Sequence, residues 1–164
     1  MAEKTTGDRR DKLVELMDDM HVAMMTTLGP EGVRSVPMAR QQVEPDAEMW
    51  FITARDTDHV RSIEADPRVA LTFSSRDAWV AATGTATVVD DEPKLRELWN
   101  TFAEAWLPGG PEDPNAALIR VDVDRAEYWD TPGGRVASLV SFAKTKLTGN
   151  TYDADHGVVE PEVS

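Results

Sequence analysis

Three short stretches between Arg34 and Arg61 carry side chains whose order can do binding chemistry. The first, Arg34-Ser35-Val36-Pro37-Met38-Ala39, is an extended run that opens on a guanidinium and contains a proline. The second, Met49-Trp50-Phe51-Ile52-Thr53-Ala54, is an apolar strand whose end carries a hydroxyl. The third, Thr57-Asp58-His59-Val60-Arg61, opens a short polar helix. Pro37 cannot donate to a strand ladder, so it belongs at an edge or a bulge, where backbone is free to meet a ligand. A helix start adds amide N–H groups that favour an anion. In this order the elements predict an edge cradle for a flat ring, with a helix N-terminus aimed at whatever anion the ring carries. Asp58 suits the helix dipole but opposes a bound dianion. Arg34, Arg40, Arg55 and Arg61 are the charges available to offset it. His59 titrates near neutrality, so it is either an anion ligand or an idle residue of the first turn.

Other chemistries find little support. His21, His59 and His156 are scattered, and no His-x-x-His or Glu-x-x-His pair occurs, so no metal site is expected. The chain has no cysteine, which removes thiol chemistry and disulfides. Ser74, Ser75 and Ser138 have no nucleophile-elbow setting, and no glycine-rich phosphate loop follows a strand. Thirty acidic residues against seventeen basic ones leave a net charge of −13, which repels phosphate backbones and argues against nucleic acid. We read that acidity as a device for solubility. Met1 to Arg10 is polar and mixed in charge, so no signal peptide is expected. No apolar run approaches the roughly 18 residues of a membrane span. A soluble, cytoplasmic protein without membrane contact is the expectation.

The elements that must position these residues can be read from periodicity. Asp8 to Asp19 predicts an amphipathic helix carrying Leu13, Leu16, Met17 and Met20. Val22–Thr27 and Val33–Val43 predict a hairpin around Gly29-Pro30-Glu31-Gly32. Trp50–Thr53, then Val69, Leu71 and Phe73, then Trp79–Val89 read as further strands, with a helix holding Val60 and Ile63 set among them. Asp91-Glu92-Pro93 is a capped helix start, and Leu95, Leu98, Phe102 and Trp106 predict one helix of about four turns. Trp50, Trp99 and Trp106 are assigned to the core. Ile119, Val121 and Val123 form a sixth strand, which Ala126–Trp129 continues or pairs beside. Val136 to Leu147 suggests a last helix. Residues 1–150 then make a single domain, and 151–164 an acidic, flexible tail. Short turns between strands and interleaved helices argue for α+β architecture around an antiparallel barrel.

Taken in order, these pieces resemble the FMN-binding split barrels of the pyridoxamine 5'-phosphate oxidase-like family. Beyond the opening stretch, Trp79 to Gly84, Leu98-Trp99-Asn100, Trp106-Leu107-Pro108-Gly109-Gly110 with Asp113-Pro114, and Glu127-Tyr128-Trp129-Asp130 resemble its general-stress branch. The resemblance covers nearly the whole chain. It implies an antiparallel split β-barrel with flanking helices, a homodimer, and FMN at the subunit interface. It further implies that Arg34, Ser35, Val36, Pro37 and Met38 lie along the isoalloxazine and ribityl chain. Ile52 and Thr53 would touch the ring, while Thr57, Asp58 and His59 would occupy the phosphate positions. Trp79 would reach the flavin from the partner subunit, and Trp129 would flank it. The oxidases proper carry Lys where this chain has Ala39, and Arg-Lys where it has Asp58-His59. Their basic C-terminal segment for a substrate phosphate finds its nearest match in Arg135. The implied function is therefore a flavin-dependent oxidoreductase with weakened phosphate anchoring, and these departures argue against pyridoxamine-phosphate oxidation. Trp79 and Trp129 would otherwise be ordinary core or interface aromatics. Two other functions suit the same fold: a stress-associated flavin-binding module without turnover, and a deazaflavin-dependent reductase.

Overall fold

A computed structural model describes residues 6–43, 48–131 and 155–160. Helix α1 (Thr6–Asp18) leads into the hairpin of β1 (Val22–Gly29) and β2 (Gly32–Val43), closed as expected by the Gly29↔Gly32 pair. There follow β3 (Glu48–Ala54), α2 (Asp58–Ala65), β4 (Arg68–Ser74) and β5 (Ala78–Val89). After α3 (Glu92–Leu98) and α4 (Thr101–Trp106), the chain ends its described course in β6 (Ala116–Asp130) and β7 (Asp155–Val159). The sheet runs β3-β2-β1-β4-β5-β6-β7, and β3 also pairs with β6. That extra pairing closes β1–β6 into an antiparallel split barrel, and β7 extends the wall beyond it.

The barrel forms because alternate residues of β1, β4 and β5 are apolar and turn inward. Met25, Phe51, Leu71, Phe73, Val80, Ile119 and Tyr128 fill the interior. Leu13 and Met17 of α1, Met20 just beyond it, and Val60 and Ile63 of α2 join the same cluster, which is why those helices show helical spacing. Strand β3 is buried on both faces. Phe51 points into the barrel, while Trp50 packs outward against Leu95 and Leu107 of the α3–α4 segment.

Two expectations change here. The single helix over Leu95 to Trp106 is in fact α3 and α4, broken at Trp99–Asn100. Asn100 adopts extended backbone, and its Oδ1 accepts from the Phe102 and Ala103 amides, both at 3.0 Å, so it caps a new helix. The break turns the face that was expected to stay buried. Trp50 is buried and Trp99 partly so, but Trp106 stands 75 % exposed and is no core residue. The second change concerns the acidic tail. Residues 155–159 form β7 on the free edge of β6, with Tyr128↔Gly157 and Trp129↔His156 in register. Gly157 makes that approach possible, because a Cβ there would lie 2.3 Å from the Tyr128 ring. Arg125 adds an ion pair to Glu160 at 2.7 Å. The helix expected over Val136 to Leu147, and Arg135 with it, lies outside the described residues.

Of the two readings left open for Ala126–Trp129, the structure has it continue the strand: β6 is one long strand interrupted by a bulge. Thr83 pairs with Arg125 but Gly84 with Val123, leaving Asp124 as the extra residue. Among the described residues, no helix is long and apolar enough to cross a membrane.

Candidate functional site

The proline in β2 marks the site. Before Arg40, β2 pairs with β1 alone, and no described strand covers its other side. The Arg40 amide donates to the His21 carbonyl at 2.8 Å, which sets the phase of the ladder. Alternation then turns the main-chain groups of Arg34, Val36 and Met38 toward β1, and those of Val33, Ser35, Pro37 and Ala39 toward the open side. Pro37 falls where its missing N–H costs no ladder bond. The edge therefore offers donors and acceptors from Val33, Ser35 and Ala39, with the Ala39 carbonyl also accepting from Gln41 Nε2 at 3.0 Å. Met38 is buried beneath this edge, Val36 partly so, and Ser35 and Pro37 are exposed.

The start of α2 stands beside that strand. Thr57 is its N-cap by backbone, but its side chain makes no cap bond. Its Oγ1 instead donates to the Ala54 carbonyl at 2.9 Å, so the first-turn amides keep no side-chain acceptor. His59 Nε2 meets the buried Thr53 Oγ1 at 2.8 Å and Thr57 Oγ1 at 3.2 Å. Since the Thr57 proton goes to Ala54, the Thr57 oxygen accepts, and an Nε2–H tautomer of His59 satisfies the pair.

Burial, more than the nearby Arg34 charge, pushes the His59 imidazole below its ordinary range, and Asp58 opposes the fall. The folded protein thus holds the ring neutral where the unfolded chain would protonate it. Its stability contribution is complete above 6.5 and is lost as pH falls below that value. Stability of the native chain to urea should fall as pH drops from about 6.5 to about 5.5. His59→Gln should flatten that dependence, and an unchanged slope in the variant would show that His59 is not its source.

Arg34 of β2 reaches across to α2, where Asp58 accepts from Arg34 and from Arg61 on separate oxygens. These two guanidiniums, Arg34 first, hold the Asp58 carboxyl below the usual carboxylate range. The three side chains rim a groove of about 510 Å³ that Ser62 and the Gly29–Gly32 turn complete. Of the four arginines read as available charge, only these two face the groove. Arg40 donates to the Met17 carbonyl at 2.8 Å and so covers the end of α1, while Arg55 pairs with Asp90.

The two tryptophans of the sequence reading stand apart from this cluster. Trp79 and Trp129 are cross-strand neighbours on the outer face of β5 and β6. Trp129 stacks on His156, with ring centroids 5.2 Å apart and planes at 20°. Trp79 lies three strand spacings from β2, or about 14 Å, so it does not stand over the β2 edge of its own chain. Arg34, Thr53, Thr57, Asp58 and His59 are thus brought together at one end of the barrel. Ile52 instead faces the α3–α4 side, packing with Trp50 and Leu95. Arg61, read beforehand as an available charge, joins the site, the Gly29–Gly32 turn joins it without having been singled out, and His156 is found only through the register of β7.

This fold and this edge define the class: an antiparallel split barrel with an open strand beside a helix start. The chain matches the pyridoxamine 5'-phosphate oxidase like family over residues 8–153, and it belongs to that family. Among solved structures it is similar to a chain from Jannaschia sp. CCS1 named for general stress protein 26. That match has 29 % identity, a TM-score of 0.73, and covers 92 % of this chain and 98 % of the other. It is also similar to the general stress FMN/FAD binding protein of Xanthomonas citri, with 30 % identity, a TM-score of 0.66, and 76 % and 89 % of the two chains covered. A curated relative, protein bli-3 of Neurospora crassa, is 27 % identical over 112 residues, which are 62 % of this chain. The match spans about half (54 %) of the length of that relative.

Proposed function

We propose that the chain binds FMN and works as a homodimeric, flavin-dependent oxidoreductase of the general-stress type. The observation that carries this reading is the open β2 edge running into the uncapped start of α2, with Arg34 and Arg61 beside it. The residues fit the group in three ways. An edge with alternating donors and acceptors suits a flat heteroaromatic ring, and Pro37 keeps that edge free of a further strand. Free first-turn amides and two guanidiniums suit a phosphate. The neutral imidazole of His59, its Nε2–H engaged by Thr53 and Thr57, positions those hydroxyls without adding charge. Asp58 is the discordant member.

Bound FMN supplies the two-electron redox chemistry, and the protein supplies binding, orientation and hydrogen bonds around the ring. Ser35 and the β2 edge orient the ring, Thr53 and His59 fix its polar rim, and Arg34 holds the ribityl-phosphate side. Trp79, about 14 Å from the edge in its own chain, would come to it from a second copy, and Trp129 would flank the ring. The similarity to a protein described as FMN/FAD binding supports this reading.

The purified protein tests it directly. Flavin absorption near 375 and 450 nm, about that of the free cofactor, is expected. Reduction by NADH or NADPH with repeated reoxidation would mark an enzyme. Tight FMN binding without turnover would favour a binding module, and uptake of a deazaflavin instead of FMN would favour the deazaflavin reductase. Trp129→Ala should weaken FMN binding by about 1–3 kcal/mol, the range for losing an aromatic anchor. An unchanged affinity would remove Trp129 from the site.

A further inference from the structure

Asp58 is an acid at the heart of the groove, bonded to both of its arginines, and a phosphate-bearing ligand does not explain it. Its Oδ2 takes Arg34 and its Oδ1 takes Arg61, so each carboxylate oxygen serves one guanidinium. Two guanidiniums converging on one pair of oxygens is the arrangement that a phosphate also demands. Arg61 is further fixed by its bond to the Asp56 carbonyl at 3.1 Å, so its position does not depend on Asp58 alone. All three side chains are about half exposed, and each is free to turn toward water when its partner changes. Glu31 is the other acid lining the groove, contributed by the β1–β2 turn. The helix dipole favours an acid here but does not call for one bonded to two arginines. Asp58 follows the N-cap and lies on the exposed side of α2, where any small polar residue would continue the helix.

We infer that Asp58 is a built-in counter-anion, a placeholder that holds Arg34 and Arg61 in position and must yield them to the phosphate of an incoming flavin. It is thereby the residue that sets how strongly the site distinguishes a phosphorylated flavin from an unphosphorylated one. This inference rests on the flavin reading above. The incoming phosphate gains only the difference between its own bonds to the arginines and those that Asp58 already makes. The resulting preference for FMN over riboflavin is small. The arginines nevertheless stay ordered in the absence of ligand, because they are never without an anion.

The test uses the full-length apoprotein, with flavin fluorescence titrated against FMN and riboflavin. Asp58→Asn should lower the FMN dissociation constant roughly tenfold, since two exposed ion pairs are released. The riboflavin constant should stay within about twofold, and the FMN gain should shrink in about 1 M salt. Asp58→Glu, which keeps the charge, should behave as the native chain. Arg61→Gln should weaken FMN and leave riboflavin unaffected, which tests the clamp independently of Asp58. Equal changes for both ligands in Asp58→Asn, or weaker FMN binding in it, would overturn the placeholder while leaving the flavin reading intact. Failure of the native chain, Asp58→Asn and Arg61→Gln alike to bind either flavin would overturn the flavin reading, and the placeholder with it.

Discussion

Met24→Glu is expected to leave the chain sedimenting as an 18.1 kDa monomer and to abolish flavin binding at micromolar concentration, whereas the native chain is expected to sediment as a dimer. Met24 lies on the outer face of β1, 42 % exposed, opposite Pro37 on one side and Thr72 on the other. Thr72 in turn faces Ala81, so a row of uncharged side chains crosses β2, β1, β4 and β5. Val33 at 74 % and Trp79 at 47 % exposure flank that row. Single exposed apolar residues need no explanation, but a contiguous sheet face of them marks an interaction surface. A self-complementary pairing of two such faces buries on the order of 1,600 Å² in total. A carboxylate placed at its centre is buried without a partner, at a cost of about 3–5 kcal/mol. The dimer constant would then weaken by two orders of magnitude or more. Flavin binding is expected to fall with it, because in the proposed site Trp79 comes to the β2 edge from another copy. If Met24→Glu remains a dimer, the outer face is not the seam. If it becomes a monomer that still binds FMN tightly, the composite site is wrong.

Gly84→Ala should cost about 3 kcal/mol, the upper part of the usual range for forcing atoms into a packed site. A Cβ on Gly84 would lie 2.1 Å from the Asp122 carbonyl oxygen and 3.0 Å from the Val123 Cα. Both are backbone atoms of the neighbouring strand, so no rotamer change relieves the clash. The only relief is to open the β5–β6 ladder at its bulge, which is the wall that also carries Trp79 and Trp129. Against a typical domain stability of 5–15 kcal/mol, such a loss is large. Urea unfolding measures it, and a variant within about 0.5 kcal/mol of the native chain would show that the bulge can shift at little cost.

Much of the barrel was legible because its strands alternate. Val69, Leu71 and Phe73 alternate along β4, burial alternates along β1, β4 and β5, and the Gly29–Gly32 turn fixes the hairpin register. The helix break was not legible. Leu95, Leu98, Phe102 and Trp106 keep helical spacing through Asn100, and periodicity alone cannot tell a cap from a polar residue on the outer face. Nor was β7, since acidic composition hides a five-residue strand that forms only because Gly157 clears the Tyr128 ring.

The sequence by itself determined the local parts of the site. Pro37 demanded a free edge, Thr57 a helix start, and Thr53 and His59 lie close enough along the chain to meet across one turn. Tertiary structure alone decided which charges meet. Arg34 and Asp58 are 24 residues apart, and neither residue type reveals that α2 packs beside the β1–β2 hairpin. It likewise made neighbours of Trp79 and Trp129, which depend on a register that slips by one residue at the β5–β6 bulge. The physical reason is common to both cases. Edge and cap preferences act over a few residues of backbone, whereas salt-bridge partners and cross-strand pairs are chosen by how the whole barrel closes.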